Sequence, residues 1–479
     1  MRATSVVLLS LCLAAPAAAL ASAPGRAIVV QLPGASGAEL EALWREGALT
    51  AGGFEAFLAG GQRSLKLIPA DPALPFAASV ALATGAAPGA NGVVGARYRP
   101  PGAAVNEIVE IGGDHPLAGT LWDVAGAADR VVGAVLWPGL DNRDDARRAT
   151  WGVADTDTEH YPARPFVLAR DRWVDDKYGI GPGPSAFWGL PPEVKSFSTP
   201  LNVSAAFAAP HERAELIYVL VAIDRTDDGV VNYDGLLVSS RIDPKKGYVG
   251  VAEPGEWFRI ELVDPTGLRH GAPEVVWLKV EELAPDLARS VFYISASRYI
   301  KAFPSALVRK LESAGRSWPG PPDEAAMIAG EAGGYGISAR TYAEMAERLA
   351  AWTVDVAVTG LDLYPTDLLL LSIPVFDPVD RRLLLVDPRQ PGHRAERAER
   401  YRALRRQVWS ALDRELARLL AAVDLETTTV YLVSTYANVP IHAEVDVGEV
   451  LRAAPELAAV GAPPERRWRS VAASGGLAH

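Results

Sequence analysis

Two acidic side chains and one serine of this chain are residues whose types could do chemistry. Asp377 and Asp380 follow the apolar run from Asp367 to Ile373. Such carboxylates could hold a divalent metal that activates a hydroxyl nucleophile, for which Ser79 is a weak candidate. The sequence therefore leaves open a hydrolase with a relocated or reduced metal site.

Cysteine and histidine chemistry is restricted by number and position. The single cysteine, Cys12, lies in an N-terminal apolar stretch that we expect to be removed, so thiol catalysis and Cys-ligated zinc are excluded. The histidines are scattered, and we expect them to be solvated or hydrogen-bonded rather than metal ligands. One of them, His479, is the last residue of the chain, and the others are His115, His160, His211, His270, His393 and His442.

A third arrangement resembles the start of a calcium loop. Asp224, Thr226 and Asp228 place oxygens at alternating positions before Gly229, which suits a hard cation. Gly235 stands where a bidentate glutamate would close such a loop. A turn between two strands is the favoured interpretation, and calcium is the alternative.

The elements that must position these residues alternate between short apolar runs and helical patterns. Nearly uninterrupted apolar runs at 27–32, 131–136, 367–373 and 428–433 are typical of strands buried on both faces of a parallel sheet. A stretch with helical spacing covers 38–44, and a longer one, 395–422, places leucines and a valine every three or four residues. The pattern predicts an α/β fold: a mainly parallel sheet flanked by helices.

The middle of the chain differs from the rest, because short strand-like runs there are separated by Asp, Gly and Pro turns. We expect a smaller, mostly antiparallel insertion. The predicted segments are a signal peptide (1–23), the N-terminal part of the α/β core (24–199), the insertion (200–285), the C-terminal part of the core (286–452) and a flexible tail (453–479).

Composition and the N-terminus limit where the protein acts. The chain has 479 residues, with 47 basic and 58 acidic side chains and a net charge of -11, so nucleic-acid binding is disfavoured. Arg2, the apolar stretch 6–20 and the small residues after it are typical of a secretory signal peptide. We expect an exported bacterial protein, periplasmic or extracellular, with no transmembrane segment after signal cleavage.

Landmarks in collinear order resemble the type I phosphodiesterase/nucleotide pyrophosphatase group of the alkaline-phosphatase-like superfamily. They include Leu74-Pro75-Phe76, Ala83-Thr84-Gly85, Asn91-Gly92-Val93-Val94-Gly95, Leu136-Trp137-Pro138-Gly139, the segment 365–377 and the segment 431–438. The resemblance implies an alkaline-phosphatase-like core. It also implies two zinc ions that activate a Thr or Ser nucleophile to hydrolyse phosphoesters.

The family's site residues are mostly replaced in this sequence. The first metal aspartate falls on Pro33, and the nucleophile falls on Pro75. Asp377 is the only retained ligand position. Asp380 and Arg381 stand for the glycine and histidine that follow in the D-x-x-G-H motif, and a guanidinium cannot replace imidazole as a metal ligand. In the S-D-H-G motif, Ser434 is kept while Thr435 and Tyr436 replace the aspartate and histidine.

Three functions remain open. The preferred hypothesis is a pseudoenzyme that binds an unknown small molecule or protein through the old cleft, with Asn91, Asp377, Arg381 and Tyr436 as binding residues and with neither a catalytic residue nor a cofactor. The alternative is a zinc-dependent phosphodiesterase with a relocated or reduced site. The second alternative is a structural envelope protein.

Overall fold

The structure is a computed structural model that describes residues 25–64, 67–98, 109–110, 116–140, 149–153, 166–169, 183–184, 189–203, 206–208, 215–217, 219–241, 243–262, 274–295 and 302–443. Several sequence predictions fall outside these residues. They are the signal peptide (1–23), the tail (453–479) and the histidines His115, His160, His211, His270 and His479.

The strands are numbered in chain order. They are β1 (Arg26–Gln31), β2 (Arg97–Tyr98), β3 (Val109–Glu110), β4 (Val132–Val135), β5 (Trp151–Val153), β6 (Phe166–Ala169), β7 (Gly183–Pro184), β8 (Leu201–Asn202), β9 (Ala206–Ala208), β10 (Glu215–Ile217), β11 (Val219–Ile223), β12 (Gly235–Ser239), β13 (Tyr248–Ala252), β14 (Trp257–Leu262), β15 (Glu274–Leu283), β16 (Ser290–Ile294), β17 (Ala302–Phe303), β18 (Leu368–Ser372) and β19 (Thr428–Val433).

The helices are numbered in the same way. They are α1 (Gly37–Arg45), α2 (Glu55–Leu58), α3 (Pro75–Thr84), α4 (Pro88–Asn91), α5 (Leu121–Ala127), α6 (Pro244–Gly247), α7 (Ser305–Ser313), α8 (Glu324–Glu331), α9 (Ala339–Leu363), α10 (Phe376–Leu383) and α11 (Ala395–Ala421).

The described residues form two compact units. The first draws its described residues from 25–158, 302–307 and 353–443, and the second from 159–301 and 308–352. The predicted insertion, 200–285, lies within the second unit, whose sheets also include β6 and β16. The segment bounds predicted from the sequence stay a prediction.

The first unit is built on a six-stranded sheet in the order β17-β5-β4-β18-β1-β19. All of its neighbouring strands run parallel except β17, which pairs antiparallel with β5 at one edge. The four apolar runs of the sequence form β1, β4, β18 and β19, which confirms the prediction of a mainly parallel sheet. The side chains of β4 and β18 are buried on both faces, so this sheet is the centre of the first unit's core. β19 lies at the edge of the sheet and is only partly buried, with Tyr431 44% exposed, so the expectation of burial on both faces is wrong for 428–433.

The long helix α11 shows why the sequence folds this way. Its buried positions include Leu404, Val408, Leu412, Leu416 and Leu419, which recur every three or four residues along one face. Arginines and glutamates cover the rest of its surface. The helix ends at Ala421, and β19 begins at Thr428. The six residues between them, 422–427, form a short connection back to the sheet.

The second unit consists mainly of antiparallel strands, as expected. One sheet has the order β13-β12-β11-β8-β7 and another the order β14-β15-β16-β6. Side chains from both sheets form one apolar core, which includes Leu220, Leu236, Leu278 and Phe292. The fold class predicted from the sequence, a mainly parallel α/β core with a smaller antiparallel part, is therefore confirmed.

Candidate functional site

The carboxyl ends of three parallel strands meet at one edge of the first unit's sheet. In β1, Gln31 is paired in register with Ser372 of β18 and with Val433 of β19. The loops that leave these strands carry Pro33, Asp377 and Tyr436. Side chains from sequence positions 400 residues apart are thus brought to one place, as the ends of parallel strands require.

A tight turn at Gly34 draws the loops together. Gly34 has a φ of 83°, and an added Cβ would lie 2.6 Å from Asn438 Nδ2 and 2.9 Å from the Asp377 backbone nitrogen. The Asn438 backbone N–H donates to the Gly34 carbonyl oxygen at 3.3 Å. Only glycine fits this close approach with a left-handed backbone. Pro33, buried just before it, presents no side-chain donor or acceptor to the site.

The retained aspartate is engaged in an ion pair within its own helix. Asp377 lies in the first turn of α10, and Arg381 lies one turn later. Arg381 Nη2 donates to Asp377 Oδ2 at 3.0 Å, with the arginine side chain 54% exposed and the aspartate side chain 24% exposed. The position that ligates metal in active relatives is therefore paired with a permanent cation.

Tyr436 lies against this ion pair. Burial raises the pKa of Tyr436, and the neighbouring Asp377 carboxylate raises that pKa further. The buried hydroxyl has no partner at full hydrogen-bond geometry, so the influence of Asp377 on it is mainly electrostatic. Tyr436 therefore stays neutral at physiological pH and does not act as a base.

Asp380 lies in a second, buried ion-pair network. Arg405 of α11 donates through Nε to Asp380 Oδ1 at 2.8 Å and through Nη2 to Glu39 Oε2 at 2.5 Å. Both Arg405 and Asp380 side chains are less than 5% exposed. Burial raises the pKa of Asp380 to about 6, against the lowering effect of Arg405. Burial alone would lower the pKa of Arg405, but attraction to Asp380 and Glu39 outweighs it and raises that pKa.

The buried serine is part of a hydrogen-bonded group centred on Gln31. Gln31 Nε2 donates to Ser79 Oγ at 2.6 Å and to Thr435 Oγ1 at 3.1 Å. Ser79 Oγ in turn donates to the Pro75 carbonyl oxygen at 2.8 Å. Ser79 is fully buried in α3, one turn after Pro75 begins the helix. A hydroxyl whose proton is committed to a backbone carbonyl in a buried helix is poorly placed to attack a substrate.

Asn91 is held by its own loop. Its Nδ2 donates to the Ala86 carbonyl oxygen at 2.8 Å, and its Oδ1 accepts from the Val93 backbone N–H at 2.8 Å. No hydrogen bond among the described residues joins Asn91 to Asp377, Arg381 or Tyr436. The structure therefore brings three of the four predicted binding residues together, Asp377, Arg381 and Tyr436. The side chain of Asn91 instead forms hydrogen bonds with the backbone of its own loop.

The residues at this edge do not fit the two-zinc centre implied by the family resemblance. Prolines occupy two of the positions, Asp377 is bound by Arg381, and Asp380 is bound by Arg405. Within the described ranges, no group of three or more His, Cys, Asp or Glu side chains is arranged to hold a metal ion. We therefore derive no metal-assisted step from these side chains.

Sequence reasoning missed three contributors to this region: Gln31, Glu39 and Arg405. Gln31 carried a signal, since it is a polar residue at the end of a strand that is apolar on both faces. Arg405 carried none, because it is one of three arginines around Leu404 in a helix rich in exposed arginines. Its burial depends on where α11 packs, which local sequence does not encode.

The loop from Asp224 to Asp234 belongs to the second unit and is a hydrogen-bonded turn. Asp224 is buried and accepts hydrogen bonds from Ser198 Oγ and from the Thr226 backbone N–H. The hydrogen bond from Ser198 lowers the pKa of Asp224. Asp228 accepts from the Val230 backbone N–H at 2.8 Å and from Asn232 Nδ2 at 3.0 Å. These contacts support the turn that the sequence favoured over a calcium loop.

The sheet topology of the described residues is consistent with an alkaline-phosphatase-like α/β fold. Residues 28–225 match the family model described as Type I phosphodiesterase / nucleotide pyrophosphatase. The resemblance predicted from the sequence is confirmed over these residues, which make up less than half of the chain. No curated protein and no solved structure matches the chain significantly. Among the residues that the structure describes, no helix has the length and hydropathy needed to cross a membrane.

Proposed function

We propose that this protein is an exported pseudoenzyme of the phosphodiesterase fold that binds an anionic ligand or partner at the Asp377–Arg381 edge without metal. The single observation that supports this best is the 3.0 Å ion pair between Arg381 and the only retained metal-ligand position. A guanidinium beside that carboxylate repels a divalent cation and attracts an anion.

Exposure of Arg381 makes ligand exchange feasible. The pair is half open to solvent, and exposed ion pairs contribute only about 0–1 kcal/mol. An incoming phosphate or carboxylate can therefore compete with Asp377 for the guanidinium at small cost. Tyr436 lies beside the pair and supplies a neutral hydroxyl for a further hydrogen bond.

The proposal also includes export from the cell and a ligand other than nucleic acid. The N-terminal segment 1–23 has the pattern of a signal peptide, and the net charge of -11 disfavours binding to polyanions. We place the mature protein in the periplasm or outside the cell, as a bacterial binding protein for a small molecule or protein ligand.

Metal content and hydrolysis test the loss of catalysis. The purified mature protein is dialysed in zinc-containing buffer, freed of unbound metal and examined by elemental analysis and with an aryl phosphodiester. We expect less than about 0.1 zinc per chain and no hydrolysis above background. Two zinc ions per chain with activity that disappears in Asp377→Ala would establish the alternative, a metal-dependent phosphodiesterase with a relocated site.

Anion binding tests the positive half of the proposal. Inorganic phosphate is titrated into metal-free protein by calorimetry, with chloride at equal ionic strength as the blank. Arg381→Gln should weaken phosphate binding about tenfold or more, while Arg382→Gln removes the same charge from the next position and should change it by no more than about twofold. Wild-type protein that takes up no phosphate would instead favour the second alternative, a structural envelope protein.

A further inference from the structure

A guanidinium in the second unit rests on two tryptophan rings. Arg348 of α9 has its Cζ 4.5 Å from the centroid of the Trp257 ring and 3.9 Å from that of Trp277. Trp257 lies in β14 and Trp277 in the adjacent strand β15. Both distances fall well within the range for cation–π attraction, so the flat faces of the guanidinium have aromatic contacts.

The N–H edge of Arg348 is not paired in the same way. Among the described residues, no oxygen accepts a hydrogen bond from this guanidinium. Glu344, one turn earlier on the helix, acts on it electrostatically. Glu344 Oε2 is already engaged, because it accepts from Trp257 Nε1 at 3.0 Å and from Lys279 Nζ at 2.6 Å. The guanidinium donors of Arg348 therefore have no acceptor within the part of the chain that the structure describes.

The guanidinium of Arg348 is charged and within reach of a ligand. Burial lowers the pKa of Arg348 to about 10, against the raising effect of Glu344, so the side chain remains charged at neutral pH. The side chain is only partly buried, and none of its nitrogens is among the buried polar atoms that lack a hydrogen-bond partner, so its N–H edge reaches solvent. Lys279, buried beneath Trp257, adds a second positive charge against the single negative charge of Glu344. This group of four residues, Arg348, Lys279, Trp257 and Trp277, therefore has an excess of positive charge and of donors.

We propose that Arg348 anchors a carboxylate-binding site in the second unit. The planar fork of a guanidinium matches a carboxylate in a bidentate pair, and the two indole rings fix its plane before the ligand arrives. The site is separate from the Asp377–Arg381 edge and does not depend on the function proposed for it. Its ligand is a free organic acid or an acidic side chain of a peptide.

Calorimetric titration of the mature protein with sodium acetate tests the site. An Arg381→Gln background removes the other candidate anion site, and sodium chloride at equal ionic strength controls for screening. Arg348→Gln should weaken acetate binding about tenfold or more. Arg340→Gln, the same charge change two turns earlier on α9 at a side chain that is 77% exposed, should change it by no more than about twofold.

A conservative variant keeps the test valid if Arg348→Gln fails to fold. Arg348→Lys retains the charge but not the fork, and we expect about fivefold weaker binding with an unchanged circular dichroism spectrum. A short glutamate-containing peptide that binds more tightly than acetate would identify a polypeptide as the source of the carboxylate, and equal affinity a free acid. Acetate affinity that is the same in wild type and in Arg348→Lys would overturn the proposal, as would phosphate binding more tightly than acetate through Arg348.

Discussion

Arg405 Nε lies 2.8 Å from Asp380 Oδ1, and this pair fastens α11 to α10 in the interior of the first unit. Arg405 also reaches Glu39 of α1, so one guanidinium joins three helices around the carboxyl edge of the sheet. The resemblance to the family implies metal ions in this region, whereas here a buried cation that belongs to the chain itself joins the three helices.

Replacing Arg405 by an uncharged residue should lower the free energy of unfolding. Arg405→Met leaves the Asp380 carboxylate buried without its partner, and we expect a loss of about 3 kcal/mol in the free energy of unfolding. Arg406→Met is the matched control, because Arg406 pairs with Glu46 at 2.5 Å on the surface, where both side chains are more than 40% exposed. That change should cost less than about 1 kcal/mol. Urea denaturation of both variants measures the difference, and equal losses would contradict the structural role given to Arg405.

The raised pKa of Asp380 predicts a pH dependence of stability. The ordinary pKa of 3.8 applies in the unfolded chain, and the folded value is about 6. Between these values the folded state binds more protons than the unfolded state, so this group's contribution to stability falls as the pH rises from about 4 to about 6.

The variant Asp380→Asn isolates that contribution. The difference in unfolding free energy between wild type and Asp380→Asn should change across this pH window by up to about 1.4 kcal/mol per pH unit. Asp362→Asn, at an exposed position, controls for the loss of one negative charge. A wild-type-minus-variant difference that is flat between pH 4 and about pH 6.5 would show that Asp380 is ionised throughout.

The turn at Gly34 should tolerate no side chain. Gly34→Ala adds a Cβ within 3 Å of both Asn438 Nδ2 and the Asp377 nitrogen, in addition to the strain of a left-handed backbone. Gly47→Ala introduces the backbone strain without a steric clash, because its φ is 68° and nothing lies within 4 Å of the added Cβ. We expect Gly47→Ala to cost about 1 kcal/mol and Gly34→Ala at least about twice as much in thermal denaturation. Equal effects would mean that the Asn438 loop moves aside.

The sequence predicted the sheet but not the contacts at its edge, and the reason is physical. Strands buried on both faces are mostly apolar, and in β18 the pattern is visible in four successive leucines, Leu368–Leu371. The sequence also showed the loss of metal ligands, because neither proline, at Pro33, nor arginine, at Arg381, can coordinate a metal ion. The network of Glu39, Asp380 and Arg405 spans 366 residues of sequence, and each member resembles an ordinary surface charge until helix packing is known.

The packing around a helical glycine decides whether its replacement by alanine raises or lowers the melting temperature. Gly360 lies in α9, where an added Cβ would come within 2.1 Å of the Trp151 ring, and that ring is fixed by a 3.0 Å hydrogen bond from Trp151 Nε1 to Thr366 Oγ1. Gly126 lies in α5 with nothing within 4 Å of its added Cβ. Alanine favours a helix over glycine by about 1 kcal/mol, so Gly126→Ala should raise the melting temperature. Gly360→Ala should lower it, because overpacking a rigid indole costs about 1–3 kcal/mol or more and exceeds the propensity gain. Differential scanning calorimetry of the two variants compares these signs directly, and a stabilised Gly360→Ala would show that Trp151 is free to shift within the core.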